Sequence, residues 1–177
     1  LRTMINVAGT TNFDWVIENF YKDQLLNKDK NQIIKMFEKK ILSQDLSKND
    51  LIFLPYMNYG GSISPYVNLN TRAEIFGLLP HHQRDDILLA AYQGLGFSIR
   101  DCYDSLNIKI KNLYLSGGGS SSAILPQIIS DILNVKVTIP DGSEFGAKGV
   151  AYLSAISLGK YKSISQIVKK NSKIKKS

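Results

Sequence analysis

Apolar residues along the chain keep two different periods. In "TTNFDWVIENFYKDQLL" the residues Phe13, Val16, Ile17 and Phe20, with Leu25 beyond them, recur at three- and four-residue intervals. That spacing predicts an amphipathic helix with one buried face, and Thr and Asn stand where an N-cap belongs. "NKDKNQIIKMFEKKILSQ" repeats the pattern: Ile33, Ile34, Phe37 and Ile41 face inward and the lysines outward. The strongest helical signal is "RDDILLAAYQGLGFSIRDCYDSL", which opens at Arg84 with Asp85 and Asp86 in its first turn. Its buried stripe runs through Ile87, Ala90, Ala91, Leu95, Ser98 and Cys102. By contrast "LRTMINVAG", "LIFLPY", "LYLSG" and "VKVTIP" are short apolar runs closed by Gly, Pro or a following loop, which predicts strands. The last two are followed by the helical stretches "SSAILPQIISDIL" and "EFGAKGVAYLSAISLG". Strand and helix alternating over short connections predict a parallel sheet covered by helices.

Between residues 57 and 82, "MNYGGSISPYVNLNTRAEIFGLLPHH" has no helical period and is rich in Gly, Pro, Asn and Ser. It is long for a simple connection, so it reads as an ordered functional loop with small strand pieces.

Composition adds limits rather than chemistry. A chain of 177 residues, 44% hydrophobic, suffices for one domain or for one large lobe of a bigger protein. No apolar run approaches the ~20 residues that span a bilayer. "LRTMINVAG" has no secretory pattern and no initiator Met, so the chain reads as processed or as a piece of something longer. The single cysteine, Cys102, excludes a disulfide framework and lies on a helical stripe, which places it in the core. The net charge of +7 first suggests nucleic acid. The seven lysines between Lys160 and Ser177, with no acid among them, account for the whole excess. A basic end without interleaved aromatics reads as a solvated, partly disordered tail, so no nucleic-acid partner is expected.

Candidate chemistry concentrates in "LYLSGGGSSSAILPQ". Here a strand enters three glycines, Gly117, Gly118 and Gly119, and leaves through three serines into a helix starting near Ser120. Glycine adopts positive φ and carries no side chain to keep a ligand away, so backbone N–H groups and the helix dipole can meet a phosphate. A tight turn required by packing is the other reading. Ser120, Ser121 and Ser122 can cap the helix or bond a ligand, and Pro126 predicts an irregularity or a later true start. Neither G-x-x-x-x-G-K-[ST] nor G-x-G-x-x-G is present.

Other motifs read as structural. Gly146, Ala147, Gly149 and Ala151 make a narrow helix face, taken as close helix-to-sheet packing, and Glu144 reads as a partner of that helix's dipole. Adjacent His81 and His82 are expected to diverge, and without a third ligand at helical spacing no metal site is expected.

Three segments then fall into one order. "AEIFGLLPHHQRDDILLAAYQG", "LYLSGGGSSSAILPQIISDIL" and "EFGAKGVAYLSA" together resemble the C-terminal half of the FGGY carbohydrate kinases, among them glycerol, xylulose, ribulose and gluconate kinases. The first carries Ala73, Ile75, Gly77-Leu78, Asp86-Ile87 and Ala90-Ala91-Tyr92-Gln93 in the family's signature order. "AGTTNFDW" resembles its small-residue turn followed by a helical Trp, and "LPYMNYGGSISP" stands in the place of its P-[FY]-x-x-G-x-x-x-P loop.

The resemblance implies an α/β, RNase H-like lobe of the actin and hexokinase ATPase type, a central mixed sheet flanked by helices. It implies that residues 1–160 form the nucleotide-binding C-terminal lobe and 161–177 a lysine-rich tail. The N-terminal sugar-binding lobe, with the catalytic aspartate, would precede residue 1. ATP and Mg2+ are the implied cofactors, and a sugar or polyol, with a keto-pentose preferred, the implied acceptor. Gly117, Gly118 and Gly119 match the glycines passing close to the phosphates and ribose, and Ser122 a helix position that faces adenine. Thr10 and Asp14 match pocket-lining positions, Gly9 fitting the place of Thr10 after a one-residue shift. No catalytic residue and no metal ligand is implied in this chain, so alone it would be inactive. A cytoplasmic enzyme without nucleic-acid or membrane partners, with a homodimer as a further expectation, completes the picture. The chain departs from the family in reading "GGSISP" where G-E-R-x-P is common, and in having Ala and Glu after Arg72. A non-catalytic actin-like nucleotide-binding or scaffold protein is the alternative.

Overall fold

A computed structural model of the chain describes residues 4, 9–44, 49–142 and 144–171. The strand expected over residues 1–9 falls, but for positions 4 and 9, outside the described residues.

Three helices open the fold: α1 (Thr11–Phe20), α2 (Lys22–Leu25) and α3 (Lys30–Ile41). The start of α3 is set by a reciprocal cap, in which Asp29 Oδ1 accepts Gln32 N–H at 2.8 Å and Gln32 Oε1 accepts Asp29 N–H at 3.0 Å. Phe13, Val16 and Ile17 are buried as the periodicity predicts. Phe20 is not: it lies exposed, edge-on to Trp15. The backbone leaves α-geometry at Tyr21, and that turn sends the Tyr21 side chain inward instead.

Strands β1 (Ile52–Leu54) and β2 (Glu74–Phe76) pair antiparallel, with Phe53 opposite Ile75. The long loop between them folds on itself through reciprocal Ser62 and Asn68 backbone bonds, both 2.9 Å. Helix α4 (Arg84–Ser105) follows, 22 residues and about 33 Å long. All six residues of the predicted stripe are buried, but so are Leu88, Leu89 and Tyr92. The stripe widens because α4 is covered on several sides, by α1, β1 and α5 (Leu125–Leu133). Burial pushes the Cys102 thiol above its ordinary range, as befits a core side chain.

The second half forms one β–α–β unit. β3 (Asn112–Tyr114) and β4 (Lys136–Thr138) run parallel, Leu113 opposite Val137, with a 3₁₀ turn (Gly118–Ser121) and α5 between them. Among the described residues the strands therefore form one antiparallel and one parallel pair.

Helix α6 (Phe145–Ser157) corrects one expectation. Among the described residues it buries no side chain, and a Cβ on Gly146 or Gly149 would meet nothing within 4 Å. Its small residues are therefore not spent on contact with a described strand. Glu144 takes a left-handed conformation at the helix start and makes no cap hydrogen bond. The lysine-rich end differs too: Ile164–Asn171 form α7, with Ile167 buried. Ile164, Ile167 and Val168 fall at helical spacing within the basic stretch, so the segment has an apolar face that its charge conceals.

The start of α4 is bolted to the first helices by charge. Asp85 accepts the Tyr21 hydroxyl at 2.5 Å and pairs with Lys40, while Arg84 lies over the Tyr21 ring and bonds Asp23 at 2.6 Å. Burial pushes the Asp85 carboxyl up, but bonds from Lys40 and Tyr21 and the charges of Lys40 and Arg84 outweigh it and hold the group below the usual carboxylate range. A depressed carboxylate stabilises the fold fully above its unfolded pKa of about 3.9 and loses that contribution as pH falls through the lower, folded value. Asp85→Asn is accordingly expected to be less stable than the parent at neutral pH. Its urea midpoint should fall less steeply than the parent's as the pH is taken below about 4. Parallel acid profiles would show that the pair contributes nothing.

Candidate functional site

The glycine turn follows directly from strand chemistry. β3 ends when Leu115 N–H bonds Thr138 C=O at 3.0 Å, and the chain then turns at Gly117, whose φ of +90° suits glycine alone. Gly118 through Ser121 make a single 3₁₀ turn; Ser120 N–H and the Ser120 hydroxyl both bond Gly117 C=O, at 3.1 and 2.7 Å. The Ser121 hydroxyl folds back in the same way on Gly118 C=O at 2.7 Å. The α-helix proper starts at Leu125 with Pro126 in its first turn, so the later start admitted by the proline is the one adopted.

One side of this turn is bare. A Cβ built on Gly117 or Gly118 would meet no atom within 4 Å, whereas one on Gly119 would press on Leu125 Cδ2 at 3.1 Å. Backbone at the first two glycines is therefore open to a ligand, and the third packs against α5.

The other side is anchored by a residue that sequence reasoning passed over. Glu38 of α3 is buried, and its carboxylate collects three neutral donors. Ser122 Oγ donates at 2.5 Å and Tyr92 Oη at 3.1 Å to Oε1, and Ala123 N–H donates at 3.0 Å to Oε2. Ser122 Oγ in turn accepts the N–H groups of Ile124 and Leu125, at 3.3 and 3.0 Å. Its one hydrogen goes to Glu38, so the hydroxyl is the cap of α5 and the bolt of the turn together. Burial first, then the nearby Glu38 charge, pushes the Tyr92 phenol up and keeps it a donor. The sign in the sequence was Glu38's position, four residues after Ile34 and three before Ile41, on the buried stripe of α3.

Thr10 and Asp14 lie elsewhere. Thr10 is exposed at the start of α1, where its carbonyl accepts the N–H groups of Phe13 and Asp14. Gly9 is similarly open, and its carbonyl accepts both the backbone and side-chain N–H of buried Asn12. Asp14 is half-buried and pairs with Lys30 at 3.4 Å. Helix α3 thus touches both groups, Asp14 through Lys30 and Ser122 through Glu38, at positions about 12 Å apart along its axis. Among the described residues no hydrogen bond or ion pair joins Thr10 or Asp14 to the glycine turn.

His81 and His82 do not diverge. Residues 79–82 form a turn, the two rings lie 4.2 Å apart, and with Asp50 they offer three ligand atoms within 4.8 Å. His82 Nδ1 accepts Leu79 N–H at 2.8 Å, which leaves the ring proton on Nε2, where it faces Asp50 Oδ1 at 2.7 Å. A metal at Nε2 would require the opposite tautomer and the loss of both bonds. The cluster is a lock on the turn that leads into α4.

The sequence matches known proteins over nearly its whole length. The profile of the FGGY family of carbohydrate kinases, C-terminal domain, matches residues 1–158. Erythritol kinase of Brucella abortus is 26% identical over 167 residues, covering 88% of this chain and 30% of that protein. Glycerol kinase of Streptococcus pneumoniae is 27% identical over 134 residues, covering 73% and 26% respectively. In structure, ligand-bound xylulose kinase from Lactobacillus acidophilus superposes with a TM-score of 0.74 at 24% identity, over 93% of this chain and 32% of that one. The chain spans under a third of the length of the curated relatives it matches. The chain shares with these proteins the α/β ATPase-type fold that the family resemblance implies.

Proposed function

The chain belongs to the FGGY family of carbohydrate kinases, whose C-terminal domain it carries, and from that premise we propose that it supplies the nucleotide-holding side of an ATP-dependent sugar or polyol kinase. One observation carries this reading. Gly117 and Gly118, the two glycines of the turn around which a Cβ would meet no protein atom within 4 Å, are where the family resemblance expects phosphates to pass. Bare backbone of this kind suits a polyphosphate, because N–H groups reach its oxygens at short range. When bound, Mg-ATP supplies the transferable γ-phosphoryl group and the metal charge that offsets the phosphates. Gly117 and Gly118 give the tail its approach. Ser122, its hydroxyl committed to Glu38, contributes by fixing the turn and leaves adenine to be met by other atoms. Catalysis in such enzymes is mainly positioning and exclusion of water, and this lobe's share is to orient the nucleotide. The acceptor site and the base that takes the hydroxyl proton belong to the rest of the kinase.

A keto-pentose or related sugar is the acceptor we propose. The relatives bear the names of erythritol and glycerol kinases, so a panel must include pentuloses, polyols and aldonates. Each of these relatives is named as a kinase, and the scaffold alternative draws no support from them. Among the described residues no helix is long and apolar enough to cross a membrane.

Gly118→Val tests the reading. A Cβ at this position meets no protein atom within 4 Å, so the variant should melt within a few degrees of the parent. It should bind ATP at least about tenfold more weakly in the intact gene product, measured by calorimetry, a loss of about 1.4 kcal/mol. A folded variant with unaltered nucleotide affinity overturns the assignment.

A further inference from the structure

We propose that Glu38 is the positioning residue of the glycine turn. Its buried carboxylate, by taking the Ser122 hydroxyl and the Ala123 N–H, sets where Gly117 and Gly118 present their backbone to the nucleotide. The inference rests on the reading of that turn as the phosphate approach.

The geometry is specific. The turn has two ends. The first is held by the β3 ladder, through Leu115 N–H on Thr138 C=O. The second has no strand to hold it, because the chain from Ser122 to Ile124 lies between the 3₁₀ turn and α5. At that second end the two polar groups offered to the core, Ser122 Oγ–H and Ala123 N–H, both go to Glu38, 84 and 85 residues away in sequence. Two donors converging on the two oxygens of one carboxylate fix direction as well as distance. A third donor, Tyr92 Oη, reaches Oε1 of the same carboxylate from α4, where Tyr92 is wedged between Phe13, stacked at 4.0 Å, and Phe37. A buried carboxylate held only by neutral donors is costly to bury and ill suited to plain packing, which an apolar side chain would serve as well. What it provides is a fixed acceptor pair behind a loop whose front is open. The carboxylate's bonds to the loop go to Ser122 and Ala123 and not to Gly117 or Gly118, so Glu38 acts through those two residues.

The test compares three variants of the intact gene product, each confirmed folded by circular dichroism. Glu38→Gln keeps the shape but sets an amide NH2 against one of the donors. It should raise the KM for ATP and the Kd for ADP about tenfold, the scale of one lost charge-assisted hydrogen bond, while leaving the KM for the sugar or polyol unmoved. Tyr92→Phe takes away the third donor and leaves both loop bonds; it should leave the nucleotide constants within about twofold. Should Glu38→Gln fail to fold, Ser122→Ala removes the same bond from the loop side and should produce the same rise. If Gly118→Val weakens nucleotide binding while the folded Glu38 variant, or Ser122→Ala in its place, does not, the positioning role is wrong and the phosphate reading stands. If Tyr92→Phe raises the constants as much as Glu38→Gln, Glu38 serves general packing and the proposal is overturned. If Gly118→Val too is without effect, both readings fall.

Discussion

Gly94→Ala is expected to destabilise the fold by about 3 kcal/mol or more, read as a lowered urea midpoint with unchanged slope. The direction is opposite to the ordinary rule. Alanine in a helix interior is better than glycine by up to about 1 kcal/mol, so a mid-helix glycine usually invites replacement. At position 94 the added Cβ would lie 2.1 Å from the carbonyl oxygen of Phe53 and 3.2 Å from its carbonyl carbon. Those atoms belong to β1, and backbone cannot rotate aside as a side chain can. Helix α4 would have to lift from the strand it covers, opening the contacts of Phe53 and Leu95 with the rest of the core. Gly96, two residues on, is a control: its Cβ would collide with Ile132 Cδ1 at 2.5 Å, the far end of a flexible side chain, and lie at ordinary contact distance from Ile128 Cγ2 and Ile132 Cγ1, at 3.6 and 3.7 Å, so Gly96→Ala should cost under about 1 kcal/mol. Equal midpoints for Gly94→Ala and the parent would mean that α4 and β1 are not in such close apposition.

Tyr92→Ala should cost about 3–5 kcal/mol, the range for deleting a fully buried aromatic ring. The ring is 1% exposed and lies parallel to Phe13 of α1 at 4.0 Å, with Phe37 of α3 tilted against it at 5.6 Å. It is therefore shared by α1, α3 and α4, and its loss leaves a cavity that three rigid helices cannot all collapse to fill. Tyr92→Phe keeps the ring and should cost only about 1 kcal/mol, the contribution of one hydrogen bond. Thermal melts of the pair separate the two quantities; a similar loss in both variants would shift the weight from the ring to the hydroxyl.

The elements most legible in the sequence are those whose period is carried by large apolar residues. α3 and α4 lie where Ile33, Phe37, Ile41 and the stripe from Ile87 to Cys102 place them. The junction of β3, glycine turn and α5 was legible because Gly and Pro punctuate it, and Pro126 marks the start of α5. Three things were not. Phe20 fits the helical period, yet the chain bends at Tyr21 and the neighbouring ring takes the interior place; periodicity says nothing about where a helix stops. His81 and His82 converge because they occupy a turn, and the rule that neighbours point apart holds only for regular backbone. Glu38 was hidden by its type. A carboxylate on an apolar stripe reads as an exposed charge until its donors are known, and these come from α4 and from the far end of the glycine turn. For the candidate site the open glycines could be foreseen and the bolt behind them could not, since it joins segments that no local pattern connects.

That long-range bolt has a consequence for recombination. A chimera joining the first part of this chain to the last part of a relative, with its crossover anywhere between Ile41 and Gly117, would inherit Glu38 from one parent and its Ser122 partner from the other. Fragment exchange in this lobe therefore succeeds as a matched set: the third helix travels with the loop it fastens, or neither is moved.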